Sequence, residues 1–581
     1  MTVEQLIIDK LDLWTSATTH KATSGRGRNG KLELTGLKKL RELILELAVR
    51  GKLVPQDPND EPASVLLEKI AAEKARLVKE GKIKKPKVLP EIAEDEKPFE
   101  LPEGWEWAYL ENIGRDWGQK TPNKPFSYID VASIDNAKGL ISSPTVLSSE
   151  EAPSRARKLV QEGTLIYSTV RPYLQNIAVV DIVIDPEPIA STAFAIIYPL
   201  GNMPPRYFLH YLRSPTFVNY VESVQTGIAY PAINDKQFFS GLAPIPPLAE
   251  QQRIVEKVDE LMGLCDRIEN HTLDHLAAHE TLVDTLLDTL TQAESAAELA
   301  DNWGRLADHF DTLFTTEQSI DRLKQTILQL AVMGRLVPQD PTDEPASVLL
   351  EKIAAEKARL VKEGKIKKPK VLDAIGEDEK PFEVPDGWLW ERIGTFALVG
   401  TGATPARDRP DYYVPEEIAW VTSGETSQEA VFSTKEKISR KAVEETNVTV
   451  YPPGTLIVAM YRQGKTRGQI TELKIHAGTN QACAAIQLVD ESLHHKDYIK
   501  LFFQKSYEEL REHAAGGAQP NLNVGKISHT PVSLPPLAEQ HRIVQKVDAL
   551  MALCDQLKAR LAQADDTRRH LAEAVVDQAI Q

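Results

Sequence analysis

Apolar residues at Leu37, Leu40, Ile44 and Leu47 recur at intervals of three, four and three, the spacing of one face of an amphipathic helix. The same face returns at Ile320, Leu323, Ile327 and Leu330. A second pattern runs Ile254, Val258, Leu261, Cys265, Ile268, and it too has a copy: Ile543, Val547, Leu550, Cys554, Leu557, continued by Leu561. This heptad spacing predicts long helices with a seam that packs against another helix as a left-handed coiled coil. With both copies in one chain, the economical arrangement is intramolecular, the two long helices side by side. Pro247 before the seam and Pro55 and Pro58 after the earlier pattern mark helix limits. A third helix is predicted from Pro62 through Val65, Leu66, Ile70 and Leu77 to a stop at Gly81.

The copies are not coincidental. Leu53–Leu89 recurs as Leu336–Leu372 with a single change, Asn59 to Thr342, and the two copies begin about half a chain apart. That is duplication of a large unit, not a short solenoid repeat. Pro246-Pro247-Leu248-Ala249-Glu250-Gln251 is matched at a similar separation by Pro535-Pro536-Leu537-Ala538-Glu539-Gln540. The resulting layout has five regions: a helical region at 1–100, a variable domain at 101–245, a central helical region at 246–383, a second variable domain at 384–534 and a closing helix at 535–581. A chain that keeps its scaffold and diversifies two inserts is built to present two different surfaces.

Each insert opens on a Trp-x-Trp phrase, Trp105-Glu106-Trp107 and Trp388-Leu389-Trp390, which reads as a strand whose aromatic face starts a core. Each later has a glycine turn and strand, Gly163–Tyr167 and Gly454–Val458, followed by a polar loop. The first loop carries Arg171, Tyr173, Gln175 and Asn176; the second carries Arg462, Gln463, Lys465 and Arg467. Each insert closes on a Pro with an Asn three residues on: Pro231…Asn234, preceded by Tyr230, and Pro520…Asn523, flanked by Gln519 and Asn521. Arg pairs bidentately with guanine, and Asn or Gln with adenine, in the DNA major groove. Loops that differ between homologous domains and are rich in these residues suit the reading of two short sequences.

Bulk properties sharpen this only partly. At 42% hydrophobic and 26% charged the chain can bury ordinary cores. It has no apolar run long enough to span a membrane and no signal-peptide layout at Met1–Lys10, and its three cysteines fit neither a disulfide framework nor a zinc site. A reduced, cytoplasmic protein with no membrane association is expected. The net charge of −16 leans against nucleic acid. The variable domains account for little of it, however: 11 Lys/Arg face 14 Asp/Glu in 101–245, and 16 face 18 in 384–534. Near-neutral domains of this kind predict modest DNA affinity without partners. A lysine run after the third helix (Lys79, Lys82, Lys84, Lys85, Lys87, copied as Lys362, Lys365, Lys367, Lys368, Lys370) reads as a solvated linker, with a phosphate-touching strap as the alternative. His271, His275 and His279 stand at i, i+4, i+8; of a metal stripe and polar seam positions, the heptad register running into Leu282 and Leu286 favours the seam.

No catalytic residue is apparent. Gly464-Lys465-Thr466 is no phosphate-binding loop, because Ala459 stands where its first glycine belongs. Gly400-Thr401-Gly402-Ala403 lacks a third glycine, and no Asn/Asp-Pro-Pro-aromatic tetrapeptide, helicase motif, G-x-S-x-G or H-E-x-x-H occurs.

Four blocks carry a resemblance. Leu47–Pro58 (LAVRGKLVPQDP), its copy at Leu330–Pro341 (LAVMGRLVPQDP) and the two Pro-Pro-Leu-Ala-Glu-Gln helix starts resemble, in this order, the specificity subunits of type I restriction–modification enzymes. The resemblance covers nearly the whole chain. It implies an α+β fold: two homologous α/β target recognition domains separated by long conserved helices, which form an intramolecular antiparallel coiled coil in a pseudo-twofold, circular arrangement. It further implies a non-catalytic subunit that reads a bipartite site on double-stranded DNA and recruits two modification (methyltransferase) subunits and restriction (endonuclease and translocase) subunits. No cofactor is then bound by this chain; S-adenosylmethionine, ATP and Mg belong on the partners. Two other readings stay open: a coiled-coil adaptor with protein-binding inserts, and an enzyme with an unfamiliar site in a variable domain. Asn302-Trp303-Gly304, between the paired seams, reads as helix or as turn.

Overall fold

A computed structural model describes residues 3–21, 31–83, 89–227, 229–461, 467–489, 496–507 and 522–580. The chain divides into two units, one made of 1–23, 27–274 and 564–581, the other chiefly of 275–563. Each holds one variable domain on one copy of the helical scaffold.

In the first unit the apolar face of helix Thr35–Val49 is buried with Ile254, Val258, Leu261 and Cys265 of the long helix Leu248–Gln292. The second unit repeats this with helix Glu317–Val332 and Ile543, Val547 and Cys554 of helix Leu537–Ile580. Ile268, Leu550 and Leu557 are partly buried against the same cores. Each seam packs against the short helix of its own unit, in a core that also holds residues of the other long helix: Ala572 and Val576 in the first unit, Val283, Leu287 and Leu290 in the second. The short helix offers both an apolar face of matching spacing and matching charges. Arg41 pairs with Asp266 and Glu269 at 2.7 and 2.6 Å; in the copy Lys324 pairs with Asp555, and Lys558 with Asp321 at 3.0 Å.

The far ends of the long helices are also buried, but not in heptad register. Ile254, Val258 and Leu261 give way to Val283, Leu287 and Leu290, and Ile543 and Val547 to Ala572 and Val576. Each of these steps is about eight turns of an ordinary helix, whereas a strict heptad repeat would have brought Leu282 inward. Leu282 and its counterpart Leu571 are instead half exposed, at 50% and 53%. His271 and His275 are exposed and so are no part of the seam; His279 is half-buried, with Nε2 3.0 Å from the Thr312 carbonyl oxygen. Among the described residues no His, Cys, Asp and Glu gather in a metal-binding group, and the three cysteines are buried. Asn302–Gly304 lies inside helix Ala296–Asp308, whose N-terminus Ser295 caps by accepting from the Glu298 amide at 3.2 Å. No helix among the described residues is long and apolar enough to cross a membrane.

The repeated third helices span Ala63–Lys79 and Ala346–Lys362, and each stops before a glycine at φ +69 (Gly81, Gly364), a conformation that favours glycine. Both bury a lysine whose ammonium docks on backbone carbonyls: Lys74 on Glu111, and Lys357 on Gly394 and Thr395 at 3.1 and 2.9 Å. Burial lowers the pKa of both.

The first variable domain has a six-stranded sheet and a four-stranded sheet; the second has a five-stranded and a four-stranded sheet. In each the opening and closing strands pair antiparallel, Glu106–Tyr109 with Leu242–Ile245, and Leu389–Arg392 with Pro531–Leu534. The domain therefore leaves the scaffold and returns to it through one narrow neck.

Candidate nucleic-acid interface

The neck is fixed by a polar cluster around a buried carboxylate, present in both units. The Glu250 carboxylate accepts from Trp105 Nε1 at 3.0 Å and Gln56 Nε2 at 3.2 Å, and Arg253 pairs with Asp60 at 2.6 Å. The copy has Glu539 with Trp388 at 2.8 Å and Gln339 at 3.2 Å, and Arg542 with Asp343 at 2.7 Å. These contacts account for the Pro-Pro-Leu-Ala-Glu-Gln motif. Its second Pro precedes the helix, its Glu sits in the positive first turn, and its Gln donates back to the Pro246 or Pro535 carbonyl at 3.0 and 2.9 Å. The turn glycines Gly51 and Gly334 (φ +67 and +70) admit the neck: an added Cβ would stand 2.5 Å from Pro102 in one and 2.6 Å from Pro385 in the other. Burial raises the pKa of Glu250 and Glu539 against the opposing hydrogen bonds from the Trp and Gln side chains.

The variable domain is braced to the scaffold further out. Arg206 forks onto Asp259 of the long helix at 3.0 and 2.7 Å. Burial alone would raise that carboxyl, but the His210 imidazole, with Nε2 3.2 Å away, and the Arg206 hydrogen bonds outweigh it and hold it at about 2.

In the first domain, strands Leu165–Ser168 and Ile177–Val179 form a hairpin whose loop holds the predicted Arg171, Tyr173, Gln175 and Asn176. A 3-10 turn, Pro172–Leu174, lies between Arg171 and Gln175, which are both left-handed (φ 49 and 50). This turn lifts Tyr173 outward, 56% exposed, while Asn176 is buried. The closing loop meets it: Arg171 N donates to the Pro231 carbonyl at 2.8 Å, Val170 bridges to Ala232, and the Arg171 guanidinium lies 5.0 Å from the centre of the exposed Tyr230 ring. Arg171, Tyr173, Gln175 and Tyr230 thus come together; Asn176 does not join them.

Asn234 has another job. Its side chain accepts from the Gln237 amide at 2.9 Å, and Gln237 returns the bond to the Asn234 amide at 2.9 Å, a reciprocal helix cap. Asn523 caps helix Val524–His529 in the same way, accepting from Lys526 at 2.8 Å. Asn234 and Asn523 therefore each serve as a helix cap through the side-chain oxygen. In the second domain Arg467 is half-buried, and Arg462, Gln463, Lys465, Gln519 and Asn521 lie outside the described residues, as do Lys84, Lys85 and Lys87.

Two supports had no sequence signal. Lys158, buried on a strand, donates to the Phe194 carbonyl and to Asp235, both at 2.6 Å, tying down the residue after Asn234. Arg213 holds the 136–137 turn and the hairpin through the Asn136 carbonyl and the Ala137 and Ile177 carbonyls at 3.4 and 3.3 Å. Burial pushes its pKa down to about 10, which leaves it cationic at neutral pH.

Residues 385–564 match a family model described as the type I restriction modification DNA specificity domain. The EcoAI specificity subunit of Escherichia coli is 40% identical over 100% of both chains, and the EcoEI specificity subunit of the same species is also 40% identical over 100% of both. A chain from a solved structure concerned with complex assembly and conformational transition of a type I R-M system matches with a TM-score of 0.52 at 22% identity, covering 83% of this chain and 99% of that one; this likeness bears on the fold alone. Full-length identity at this level, on a duplicated scaffold with a domain inserted in each copy, makes the chain a member of the type I restriction enzyme specificity subunits.

Proposed function

We propose that this chain is the non-catalytic reader of a type I restriction–modification complex acting in the cytoplasm. Each variable domain recognises one half of a bipartite site on double-stranded DNA, and the long helices set the gap between the halves. The observation that carries this reading is the contrast within each half: a neck cluster repeated residue for residue, beneath loops that differ. Arg171, Tyr173, Gln175 and Tyr230 form the first reading surface, with Arg171 and Gln175 able to address guanine and adenine edges. Arg462, Gln463, Lys465 and Arg467 are assigned to the second, beside Gln519 and Asn521.

The scaffold then docks two modification subunits, which carry S-adenosylmethionine, and restriction subunits, which use ATP and Mg. Half-exposed leucines at equivalent positions, Leu282 and Leu571, suit two copies of one partner. Pairing of the long helices with each other in a pseudo-twofold, circular arrangement belongs to this proposal. The test is methylome sequencing of cells carrying the protein with segment 101–245 exchanged for another variable domain. One half of the methylated motif should change and the other should stay; a change in both would sink the two-reader model.

A further inference from the structure

We propose that Tyr173 and Leu174 form a wedge that enters an opened base step in the first half-site, an inference that rests on the reading proposed above. The turn bearing them is rigid by construction. Pro172 fixes its first dihedral, Leu174 N donates to the Arg171 carbonyl at 3.0 Å and Gln175 N to the Pro172 carbonyl at 2.9 Å. Asn136 Nδ2 reaches the Leu174 carbonyl at 3.4 Å. Arg171 and Gln175, at φ 49 and 50, account for two of the three non-glycine left-handed residues among those described. Backbone held in this region costs free energy and persists where the surroundings enforce it, commonly at ligand contacts.

What this strained turn presents is apolar. Tyr173 and Leu174 are 56% and 43% exposed, and Tyr230, against the Arg171 guanidinium, is 68% exposed. The stretches 169–176 and 229–232 contain one charged side chain, the cation Arg171. In a domain of net negative charge these two stretches carry no carboxylate of their own and present apolar side chains beside one cation. That combination fits a duplex: Arg171 addresses phosphate or a base edge, and a ring and a leucine enter between bases. Apolar side chains inserted in this manner unstack a step and bend the helix, with the unstacking cost offset by the contacts that the bend permits. Such a step would be read through its deformability, a source of specificity separate from hydrogen bonds to base edges.

The test uses the assembled complex with its modification subunits and a duplex carrying the methylated motif, with 2-aminopurine placed in turn at each position of the first half-site. The expected result is a several-fold rise in fluorescence at one position other than the methylated adenine, lost in the Tyr173→Ala/Leu174→Ala variant and kept in Tyr173→Phe. The double alanine variant should bind the perfect duplex about ten-fold more weakly and recover on a duplex mismatched at that step, because unstacking there is already done. If fluorescence rises only at the methylated adenine while half-site preference is intact, the wedge is wrong and the two-reader function stands. If the wild-type complex shows no preference for the first half-site, the function itself fails and the wedge with it. If the double variant impairs assembly with the modification subunits in the absence of DNA, the surface serves a protein and the proposal is overturned.

Discussion

The two units are alike where the variable domain joins the scaffold and unlike where it ends. Trp105, Gln56, Glu250, Arg253 and Asp60 repeat as Trp388, Gln339, Glu539, Arg542 and Asp343, with nearly equal bonds to the carboxylate: 3.0 and 3.2 Å in one, 2.8 and 3.2 Å in the other. The main sheets above them already differ, with six strands in one and five in the other. Duplication therefore preserved a joint and released everything beyond it. A buried carboxylate held by two donors is costly to disturb from either side, since any lost partner strands a buried polar group. Loop tips bear no such constraint.

The most drastic way to break the comparison is to change the separation of the units rather than either one. The boundary between units falls at 274/275 in one long helix and at 563/564 in the other, not near Asn302. Four helix-forming residues add about 6 Å, close to two base pairs at about 3.4 Å each. Inserted at both crossings they should widen the gap in the methylated motif by one or two base pairs and leave the half-sites unchanged. An unaltered gap in an active variant would show that the partners fix the spacing.

Next in size are Trp105→Ala and Trp388→Ala. Each opens a cavity and strands a buried carboxylate, so each should cost about 3–5 kcal/mol, measured as loss of denaturant stability. Equivalent joints predict similar losses; one silent substitution would end the equivalence.

Smaller again is Arg171→Ala, expected to cost about 1–3 kcal/mol of discrimination in the first half-site only. Uniform weakening across sequences, seen in binding titrations against variant duplexes, would make Arg171 a phosphate contact instead.

The smallest effect concerns Glu250 and Glu539. Burial lifts both folded values above the ordinary 4.5, so the folded state binds their protons more tightly than the unfolded chain does. Their contribution to stability is full below the ordinary carboxyl value and is lost as pH rises through the folded value. Glu250→Gln or Glu539→Gln should remove part of that loss, about 1 kcal/mol or less. Melting curves taken from the ordinary carboxyl value up to neutral pH should fall less steeply for the variants; parallel slopes would exclude the assignment.

Much of this was written in the pattern of residues. Helix faces at Leu37–Leu47 and Ile254–Cys265 follow from spacing alone, because burial on one side of a helix needs nothing else. Their partners did not follow: heptad spacing reports that a seam exists and not which of several amphipathic helices fills it. Extending the heptad to Leu282 failed because the helix keeps its ordinary pitch. The cap at Asn234 was legible as well, since Asn234-Asp235-Lys236-Gln237 is a capping-box sequence; Ser295 with Glu298 likewise announced the helix containing Asn302. The Lys158–Asp235 support joins residues far apart in the chain and leaves no local trace, because only the folded sheet brings the two together.

One difference between the scaffolds bears on how the chain reaches its fold. Glu269, against Arg41, has Lys558 as its counterpart; Lys558 is against Asp321, whose own counterpart is Lys38. A newly made chain with a duplicated scaffold must choose which short helix goes with which long one. The repeat from Leu53 to Leu89 cannot inform that choice. Crossed pairing would set Lys558 against Lys38 and Arg41, and would set Glu269 against Asp321 as well as Lys324. Each exposed ion pair is worth only a few tenths of a kcal/mol, but between otherwise equal alternatives such differences decide the outcome. The reversed charges favour each half's own pairing over the crossed one.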